Sequence, residues 1–449
     1  MTDSVSSVPS ITTPLPGPNA REVVARSKKR VSPSLPHAYP LAVKRGEGVT
    51  IEDVDGNLFL DCAAGIAVCS TGHCHPQVVS AIQHQASQLL HICGADFYDE
   101  RYIALAERLA ASFPGGAPAQ VFLGNSGAEA VEAAFKLARY HTGRSRVLAF
   151  LGAFHGRTMG AVSLTASSSK YRQGFRSMVP DITHVPYAYC YRCSYHLEYP
   201  SCGLACIDYI EDTLFSRILP AEEVAAIFVE PVQGEGGYIV PPPAWLPRLR
   251  ALCDKYGILL VADEVQSGVG RTGTMWAVEH WDVVPDILCS AKALASGMPV
   301  SAMIAREEVM SWSPGAHGST FGGNPVCCAA AQATLDVIEQ EQLMANARQV
   351  GGRLLSNLRD LAEESRFIGD VRGLGLMIGV EMVQDKATKA PAPAEAHAVV
   401  QECFQRGLLL LPCGPNSVRF SPPLLLTEAQ ADIAFQIFSE SLAQIEGRA

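Results

Sequence analysis

Long apolar runs are missing from this sequence of 449 residues. The longest apolar stretches have the length of strands and stop well before the roughly 20 residues that a membrane-spanning helix needs. Residues 1–20 have neither a basic start nor an apolar run, so they do not look like a secretory signal. We therefore expect a soluble, cytoplasmic protein that has no membrane partner.

Positive charge is also scarce. Lys and Arg number 35 against 45 Asp and Glu, which gives a net charge of −10. The longest block of consecutive basic residues is Lys28-Lys29-Arg30. A chain with this balance is a poor binder of nucleic acid, and we expect no such partner.

Charged residues make up only 18% of the chain, whereas hydrophobic residues make up 48%. This composition excludes disorder over most of the length and allows a large core. At roughly 150 residues per domain, the length predicts two or three domains, or one large α/β body with a smaller companion.

Short apolar runs alternate with helical patterns between about residues 100 and 335. These runs are Val121–Leu123, Arg146–Phe150, Ala226–Val229, Ile258–Val261 and Asp286–Leu288. Such an alternation predicts an α/β fold in which a mostly parallel sheet lies between helices. Ligands of such sheets bind beyond the carboxyl ends of the strands, so the polar residues that close these runs are candidate site residues.

The pattern changes near both ends of the chain. Residues 1–20 are rich in Ser, Thr and Pro and are predicted to be a disordered tail. We expect residues 21–80 and 341–449 to form the two parts of a smaller α+β domain. The large domain then spans residues 81–340 and carries a cysteine-rich insert at residues 186–210.

The first candidate site is the turn of Ser126, Gly127 and Ala128, which follows a strand and opens a helix. Backbone N–H groups and the positive end of a helix dipole make such a turn an anion site. Gly127 would allow a phosphate to approach the backbone closely. An ordinary helix N-cap explains the same residues equally simply.

Two further candidates close neighbouring strands. Asp263 ends the most hydrophobic strand, where a carboxylate could pair with a cofactor base, although a structural salt bridge is the alternative. Lys292 follows the next strand between Ala291 and Ala293. Desolvation would lower the pKa of this lysine and make the neutral amine a nucleophile, unless the side chain reaches out to solvent.

A phosphate seat, a carboxylate and a lysine at successive strand ends indicate a pyridoxal 5'-phosphate site. From about residue 20 onward the chain resembles the class III aminotransferases, which are pyridoxal phosphate enzymes of fold type I. The resemblance rests on Gly65–Val68, Gly72–Pro76, the Asn125 turn, Phe154–Thr158, Glu230–Gly237, Asp263–Gly273 and Gly318–Pro325.

The resemblance implies roles around the cofactor. Lys292 would hold it as an aldimine and then act as general base and acid. Asp263 would keep the pyridine nitrogen protonated, and Gln266 would bond the ring hydroxyl. Phe154 would stack on the ring, while Thr320 from the neighbouring subunit would complete the phosphate seat. A homodimer is therefore expected, and pairing of dimers into a tetramer is left open.

The resemblance also implies residues that bind the substrates, an amino acid and a 2-oxo acid. Arg157 would take one carboxylate through a bidentate fork. Arg419 would pair with Glu235 until an α-carboxylate arrives, although a salt bridge at the rim is the alternative. Glu230 matches a carboxylate that lies close to the cofactor ring in the resembled family. An apolar Ile66 favours the 4-aminobutyrate and acetylornithine branches over ornithine aminotransferases.

These features predict transfer of an amino group from an ω-amino acid, 4-aminobutyrate first, to 2-oxoglutarate. An acetylornithine or ornithine aminotransferase is an alternative. An amino-acid racemase on the same fold is another, because reprotonation on the opposite face of the substrate carbon needs no oxo acid acceptor. A protein that only binds a ligand is disfavoured by the joint presence of Lys292, Asp263 and Gln266.

Four of the fourteen cysteines are clustered as Cys190-x2-Cys193 and Cys202-x3-Cys206. This spacing is typical of metal ligands, and four thiolates could hold zinc or an iron–sulfur cluster. Unligated or disulfide-paired thiols in a surface loop are the alternative. Similar cysteine loops occur in members of the resembled family that are racemases, which supports the racemase alternative.

Overall fold

The computed structural model describes residues 8–175 and 178–447. The chain forms two compact units. The first combines the N-terminal part up to Pro76 with the C-terminal part from Ala345 onward, and the second spans Gln77–Met344. None of the helices in the described part of the chain has both the length and the apolar content of a membrane span.

Strands and helices alternate over most of the chain. The strands are β1 (Val43–Glu47), β2 (Thr50–Asp53), β3 (Leu58–Asp61), β4 (Ala119–Gly124), β5 (Arg146–Phe150), β6 (Ile182–Val185), β7 (Val224–Val229), β8 (Leu259–Asp263), β9 (Ile287–Ser290), β10 (Ser301–Arg306), β11 (Ile368–Leu374), β12 (Met377–Asp385), β13 (Ala390–Pro391), β14 (Leu408–Leu409), β15 (Leu411–Cys413) and β16 (Ser417–Phe420). The helices are α1 (Pro18–Arg30), α2 (Ala64–Ala67), α3 (Pro76–Ala86), α4 (Glu100–Ala111), α5 (Gly127–Thr142), α6 (Met159–Leu164), α7 (Ala205–Asp208), α8 (Trp245–Tyr256), α9 (Pro325–Gln340), α10 (Leu343–Glu364), α11 (Pro393–Gln405) and α12 (Glu428–Glu446).

The second unit is built on a seven-stranded sheet with the order β4-β10-β9-β8-β7-β5-β6. Strand β10 runs antiparallel to both of its neighbours, and the other neighbouring pairs are parallel. Every residue of β7 is buried, as expected for a strand that is covered on both faces. The prediction of an α/β fold with a mostly parallel sheet is confirmed.

Helices cover both faces of this sheet. On one face, Val131 and Phe135 of α5 belong to the same buried cluster as Val261 of β8. On the other face, Trp245 of α8 packs against Phe150 of β5 with ring centroids 5.2 Å apart. The alternation of side chains along each strand sends successive residues to these two layers, so the strands read as continuous apolar runs.

The first unit contains two smaller sheets. One has the strand order β1-β2-β3-β14, and the other joins β11, β12, β16 and β15, with β13 paired to β12. Strand β14 is parallel to β3, with Leu408 opposite Leu60. The N-terminal and C-terminal segments of the chain therefore share one sheet.

A disordered tail was predicted for residues 1–20, but residues 8–20 have a defined structure. Residues 1–7 lie outside the described residues. Residues 8–20 are held by the turn between β2 and β3. Asn57 Oδ1 accepts the backbone N–H of Thr12 at 2.8 Å, and the Asp55 carboxylate accepts those of Asn19 at 2.9 Å and Ala20 at 2.8 Å. Because Asp55 satisfies the N–H groups at the start of α1, that helix begins already at Pro18.

Candidate active site

The two predicted catalytic residues, Asp263 and Lys292, lie at one edge of the seven-stranded sheet together with other predicted site residues. Asn125 follows β4, Glu230 follows β7, Asp263 ends β8, and Lys292 stands two residues after β9. These strands are parallel to one another, so their carboxyl ends meet at the same edge. The fold thus gathers residues that are far apart in the sequence.

Asp263 is buried, with 4% of its surface exposed, and it is paired with an imidazole. Its Oδ2 lies 2.7 Å from His155 Nδ1, and its Oδ1 accepts the backbone N–H of Val265 at 3.0 Å. Burial opposes the charged imidazolium, but the hydrogen bond and the charge of Asp263 outweigh it and raise the pKa of His155. Each carboxylate oxygen retains a lone pair for a further donor, such as a ring N–H.

His155 belongs to the segment Phe154–Thr158, for which the sequence pattern predicts no partner of Asp263. Its backbone N–H donates to Thr165 Oγ1 at 2.9 Å, and its ring is fully enclosed. Its Nε2 has no hydrogen-bond partner among the described residues. The rule that a buried carboxylate needs a partner predicts that Asp263 has one, but it does not indicate which residue that is.

The N-terminus of α5 has the geometry of an anion site. Ser126 is its N-cap, and the Ser126 Oγ accepts the backbone N–H of Glu129 at 3.3 Å. The first N–H groups of a helix have no acceptor within the helix, and Gly127 and Ala128 supply two of them. A Cβ at Gly127 would lie 2.7 Å from Val265 Cγ1, so only glycine fits here without a shift.

Lys292 begins a short 3-10 turn, Lys292–Ala295, directly beyond the sheet. Its side chain is half-buried, and Ala291 and Ala293 beside it are buried. Its φ of 37° is in the left-handed region, which is costly for a residue with a Cβ. A lysine held in this backbone conformation differs from an ordinary solvent-exposed lysine.

Gln266 is positioned by an aromatic residue that the sequence did not single out. Tyr238 donates its O–H to Gln266 Oε1 at 2.9 Å, and both side chains are buried. Phe154 is half-buried, and its ring meets the edge of Tyr171 with centroids 5.4 Å apart. Tyr238 and Tyr171 therefore fix the two residues that were predicted to touch the cofactor ring.

Glu230 joins two loops at the strand edge. Its carboxylate accepts the backbone N–H of Phe154 at 2.9 Å and that of Gly234 at 3.0 Å. Burial raises the pKa of Glu230 to about 7, against the nearby charge of His155, which lowers it. This residue therefore supports the Phe154 loop.

The predicted substrate residues lie in both units. In the second unit, Arg157 is exposed, and its guanidinium lies 4.6 Å from the centroid of the Tyr171 ring. Thr320 in that unit is also exposed. Ile66 and Arg419 belong to the first unit, where Ile66 has a strained φ of 68° and Arg419 is buried on β16.

The pairing of Glu235 with Arg419 stays a prediction, as do the substrate contacts of Arg157 and Ile66. Among the described residues, no carboxylate pairs with Arg157, so its guanidinium is available to a substrate carboxylate. Thr320 likewise keeps its predicted role toward a second subunit.

The four clustered cysteines surround one small cavity in the second unit. All of them are free thiols. Burial raises the pKa of the Cys190 thiol, and the neighbouring Cys202 and Cys193 thiols raise it further. Within residues 8–175 and 178–447, no three Cys, His, Asp or Glu side chains are arranged as ligands of one metal ion.

Known proteins resemble this chain over nearly its whole length. Residues 32–442 match the family described as aminotransferase class-III. The alanine/serine racemase of Pyrococcus horikoshii is 40% identical over 441 residues, which cover 97% of this chain and 92% of the relative. The 4-aminobutyrate aminotransferase GabT of Escherichia coli K12 is 40% identical over 423 residues, covering 94% and 97%.

A solved structure supports the same relationship. The amine transaminase from an uncultivated Pseudomonas species, solved with bound pyridoxal phosphate, superposes with a TM-score of 0.84. It is 34% identical to this chain and covers 93% of it, while this chain covers 98% of that structure.

Proposed function

The chain belongs to the class III aminotransferases, and we propose that it moves an amino group from an ω-amino acid, 4-aminobutyrate first, to 2-oxoglutarate. Pyridoxal 5'-phosphate is the cofactor that this family requires. The observation that carries the proposal is the convergence of Lys292, Asp263 and the α5 N-terminus at one sheet edge.

The residues present fit this cofactor. Asp263 has a lone pair left for a ring N–H, and the α5 N-terminus suits a phosphate. Gln266 and Phe154 supply a hydrogen-bonding group and a ring face next to these positions. When bound, pyridoxal phosphate supplies a protonated ring that withdraws electrons from the substrate carbon.

The remaining chemistry is proton movement by side chains of this chain. The Lys292 amine takes the proton from the substrate carbon and returns one during amino transfer. Asp263 would accept a hydrogen bond from a protonated ring nitrogen, and His155 behind it holds the carboxylate in place. Arg157 binds a substrate carboxylate, for which its guanidinium supplies a bidentate fork.

A racemase is the second candidate function, because one 40% identical relative is an alanine/serine racemase that matches 97% of this chain. Both reactions begin with removal of a proton from the substrate carbon by the lysine. They differ in whether the proton returns to that carbon on the other face or the amino group is transferred to an oxo acid. The residues named above serve either outcome.

One experiment separates the two functions. Purified enzyme loaded with pyridoxal phosphate is incubated with 4-aminobutyrate and 2-oxoglutarate, and L-glutamate is measured. In parallel, L-alanine, L-serine or L-isoleucine is incubated without any oxo acid and analysed by chiral chromatography. We expect glutamate formation that is lost in Lys292→Ala and retained in the control Lys29→Ala, an exposed lysine of α1. Rapid racemisation without glutamate formation would overturn the aminotransferase proposal.

A homodimer is part of the proposal. Leu90 and Phe321, which are 64% and 61% exposed, form an apolar surface, named here the Phe321 surface. Phe97 and Tyr98, which are 59% and 99% exposed, follow Leu90 by a few residues along the chain. His91 stacks on Phe321 with ring centroids 4.9 Å apart, and Asn324 donates to Leu90 O at 2.8 Å, so these segments are adjacent. Such a surface suits a second copy, which would bring its own Thr320 to the partner's site.

We place the enzyme in the reducing cytoplasm, because all fourteen cysteines are free thiols. Pyridoxal phosphate is the one cofactor that amino transfer needs. The metal predicted for the cysteine insert has no part in this reaction.

A further inference from the structure

The insert of residues 186–210 contains a cavity that the reaction does not use. Its volume is about 20 Å³, and its lining includes the thiols of all four clustered cysteines: Cys190, Cys193, Cys202 and Cys206. A single water molecule needs roughly 10–15 Å³ of such space. The cavity therefore has room for one metal ion.

The backbone fixes the four cysteines on tight turns. Cys190 begins the 3-10 turn Cys190–Arg192 and Cys193 follows it, and Cys193 O accepts the N–H of His196 at 3.0 Å. The N–H of Cys202 donates to Glu198 O at 2.9 Å, and Cys206 lies in α7. The first pair is presented by a turn, and the second by a turn and the start of α7; closely spaced cysteine pairs of this kind are usual in structural zinc sites.

Polar hydrogens face these sulfur atoms. The indole N–H of Trp245 is buried, lies beside the Cys206 thiol and has no hydrogen-bond partner within the described part of the chain. Tyr195 also lines the cavity, and its O–H has no partner among the described residues. Such donors typically stabilise the negative charge of metal-bound thiolates.

We propose that Cys190, Cys193, Cys202 and Cys206 bind one structural zinc ion in this cavity. Binding replaces the four thiol protons, which pass to solvent, by four zinc–sulfur bonds, and no oxidant or reductant is needed. Because no three of these side chains yet stand as ligands, the thiols must rotate inward as the ion enters. The residue types, four thiolates without a carboxylate, favour zinc over magnesium or calcium.

The ion would tie the insert to the rest of the second unit. Tyr187 lines the same cavity and donates its O–H to the carbonyl oxygens of Glu230 at 3.0 Å and Pro231 at 3.1 Å. Trp245 packs on Tyr187 with ring centroids 4.6 Å apart. We therefore assign the zinc a structural role beside the Glu230 loop.

The test measures metal in the purified holoenzyme. We expect about one zinc per chain by elemental analysis, and its loss in the double variant Cys190→Ser, Cys202→Ser. Cys74→Ser, an exposed cysteine of the first unit, is the matched control and should keep the metal. The pyridoxal phosphate content is measured on the same samples, so failure of the cofactor site and failure of the metal site are told apart.

A second measurement on the wild-type protein keeps the proposal testable if the double variant does not fold. The wild-type protein is stripped of metal and given Co²⁺, which should produce the strong visible absorption of tetrahedral cobalt thiolate. Absence of both zinc and this absorption would overturn the proposal. So would iron with acid-labile sulfide, or disulfides among the four cysteines in protein purified without reductant.

Discussion

His155 is the residue that positions Asp263 for contact with a cofactor ring nitrogen. The carboxylate is enclosed, and an isolated charge there would be costly to desolvate. His155 offsets that cost, because its Nδ1 lies in hydrogen-bond contact with Asp263 and the two groups favour opposite charges. The hydrogen bond and the carboxylate charge raise the pKa of His155 against the effect of burial. The hydrogen bonds to His155 and to the Val265 N–H therefore fix the orientation of this carboxylate.

Removal of this imidazole tests its role as a positioning residue. In His155→Gln we expect kcat of amino transfer to fall about tenfold, since a hydrogen bond to a charged group contributes about 1.5 kcal/mol. The amide can still hydrogen-bond Asp263 but carries no charge. Turnover and cofactor content are measured together. His184→Gln, a half-buried histidine bonded to Leu164 O, is the control, and equal losses in both variants would contradict the assignment.

A second enclosed carboxylate makes stability depend on pH. Burial raises the pKa of Glu264 to about 7, while hydrogen bonds from Ser267 and the Val278 N–H oppose the rise. The folded state therefore retains a proton that the unfolded chain releases near pH 4.5. Stability should fall as pH rises from about 4.5 to 7 and level off above that, by at most on the order of 3 kcal/mol for this group.

Glu264→Gln should reduce that pH dependence. Chemical unfolding at pH 5 and pH 8 gives the two free energies of unfolding. The isosteric amide cannot ionise, so the difference between them should shrink. A difference unchanged from wild type would show that Glu264 keeps an ordinary pKa. Glu222→Gln, an exposed carboxylate, is the control.

At the scale of elements, helix α5 approaches the loop after β8 so closely that a side chain at its first residue has no room. In Gly127→Ala the new methyl group would meet Val265, and overpacking of this kind costs about 1–3 kcal/mol. We expect the phosphate end of the cofactor to bind less tightly, measured as the Kd of pyridoxal phosphate. Adding Val265→Ala should restore much of the affinity. No rescue would mean that Gly127 acts through the cofactor contact alone.

The sequence predicted these elements well where local pattern and burial agree. All five apolar runs of the central region became strands, and Lys292 and Asp263 could be placed at strand ends because parallel strands share an edge. The antiparallel direction of β10 could not be predicted, because strands of either direction in a covered sheet are apolar on both faces. His155 and Tyr238 act through contacts across 108 and 28 residues of chain, which no local pattern encodes.

At the scale of the whole molecule, the Phe321 surface makes assembly testable. In Phe321→Glu a charge replaces an exposed ring, so a partner would have to bury that charge, and we expect the dimer to dissociate. Light scattering after size exclusion gives the molar mass. Ile218→Glu, at a residue 65% exposed elsewhere in the second unit, is the control and should leave the mass unchanged. A dimer that persists in Phe321→Glu would place the interface elsewhere.

The pairing of Leu60 with Leu408 has a consequence for the order in which the chain can fold. During synthesis, strand β3 leaves the ribosome long before its neighbour β14 exists. Residues Gln77–Met344, which separate the two parts of the first unit in the sequence, are synthesised between β3 and β14. During this time the edge of β3 that later pairs with β14 stays unpaired. Contacts between residues that are far apart in the sequence form late in folding. We therefore expect chaperones to protect the exposed edge of β3 from aggregation until β14 has been made.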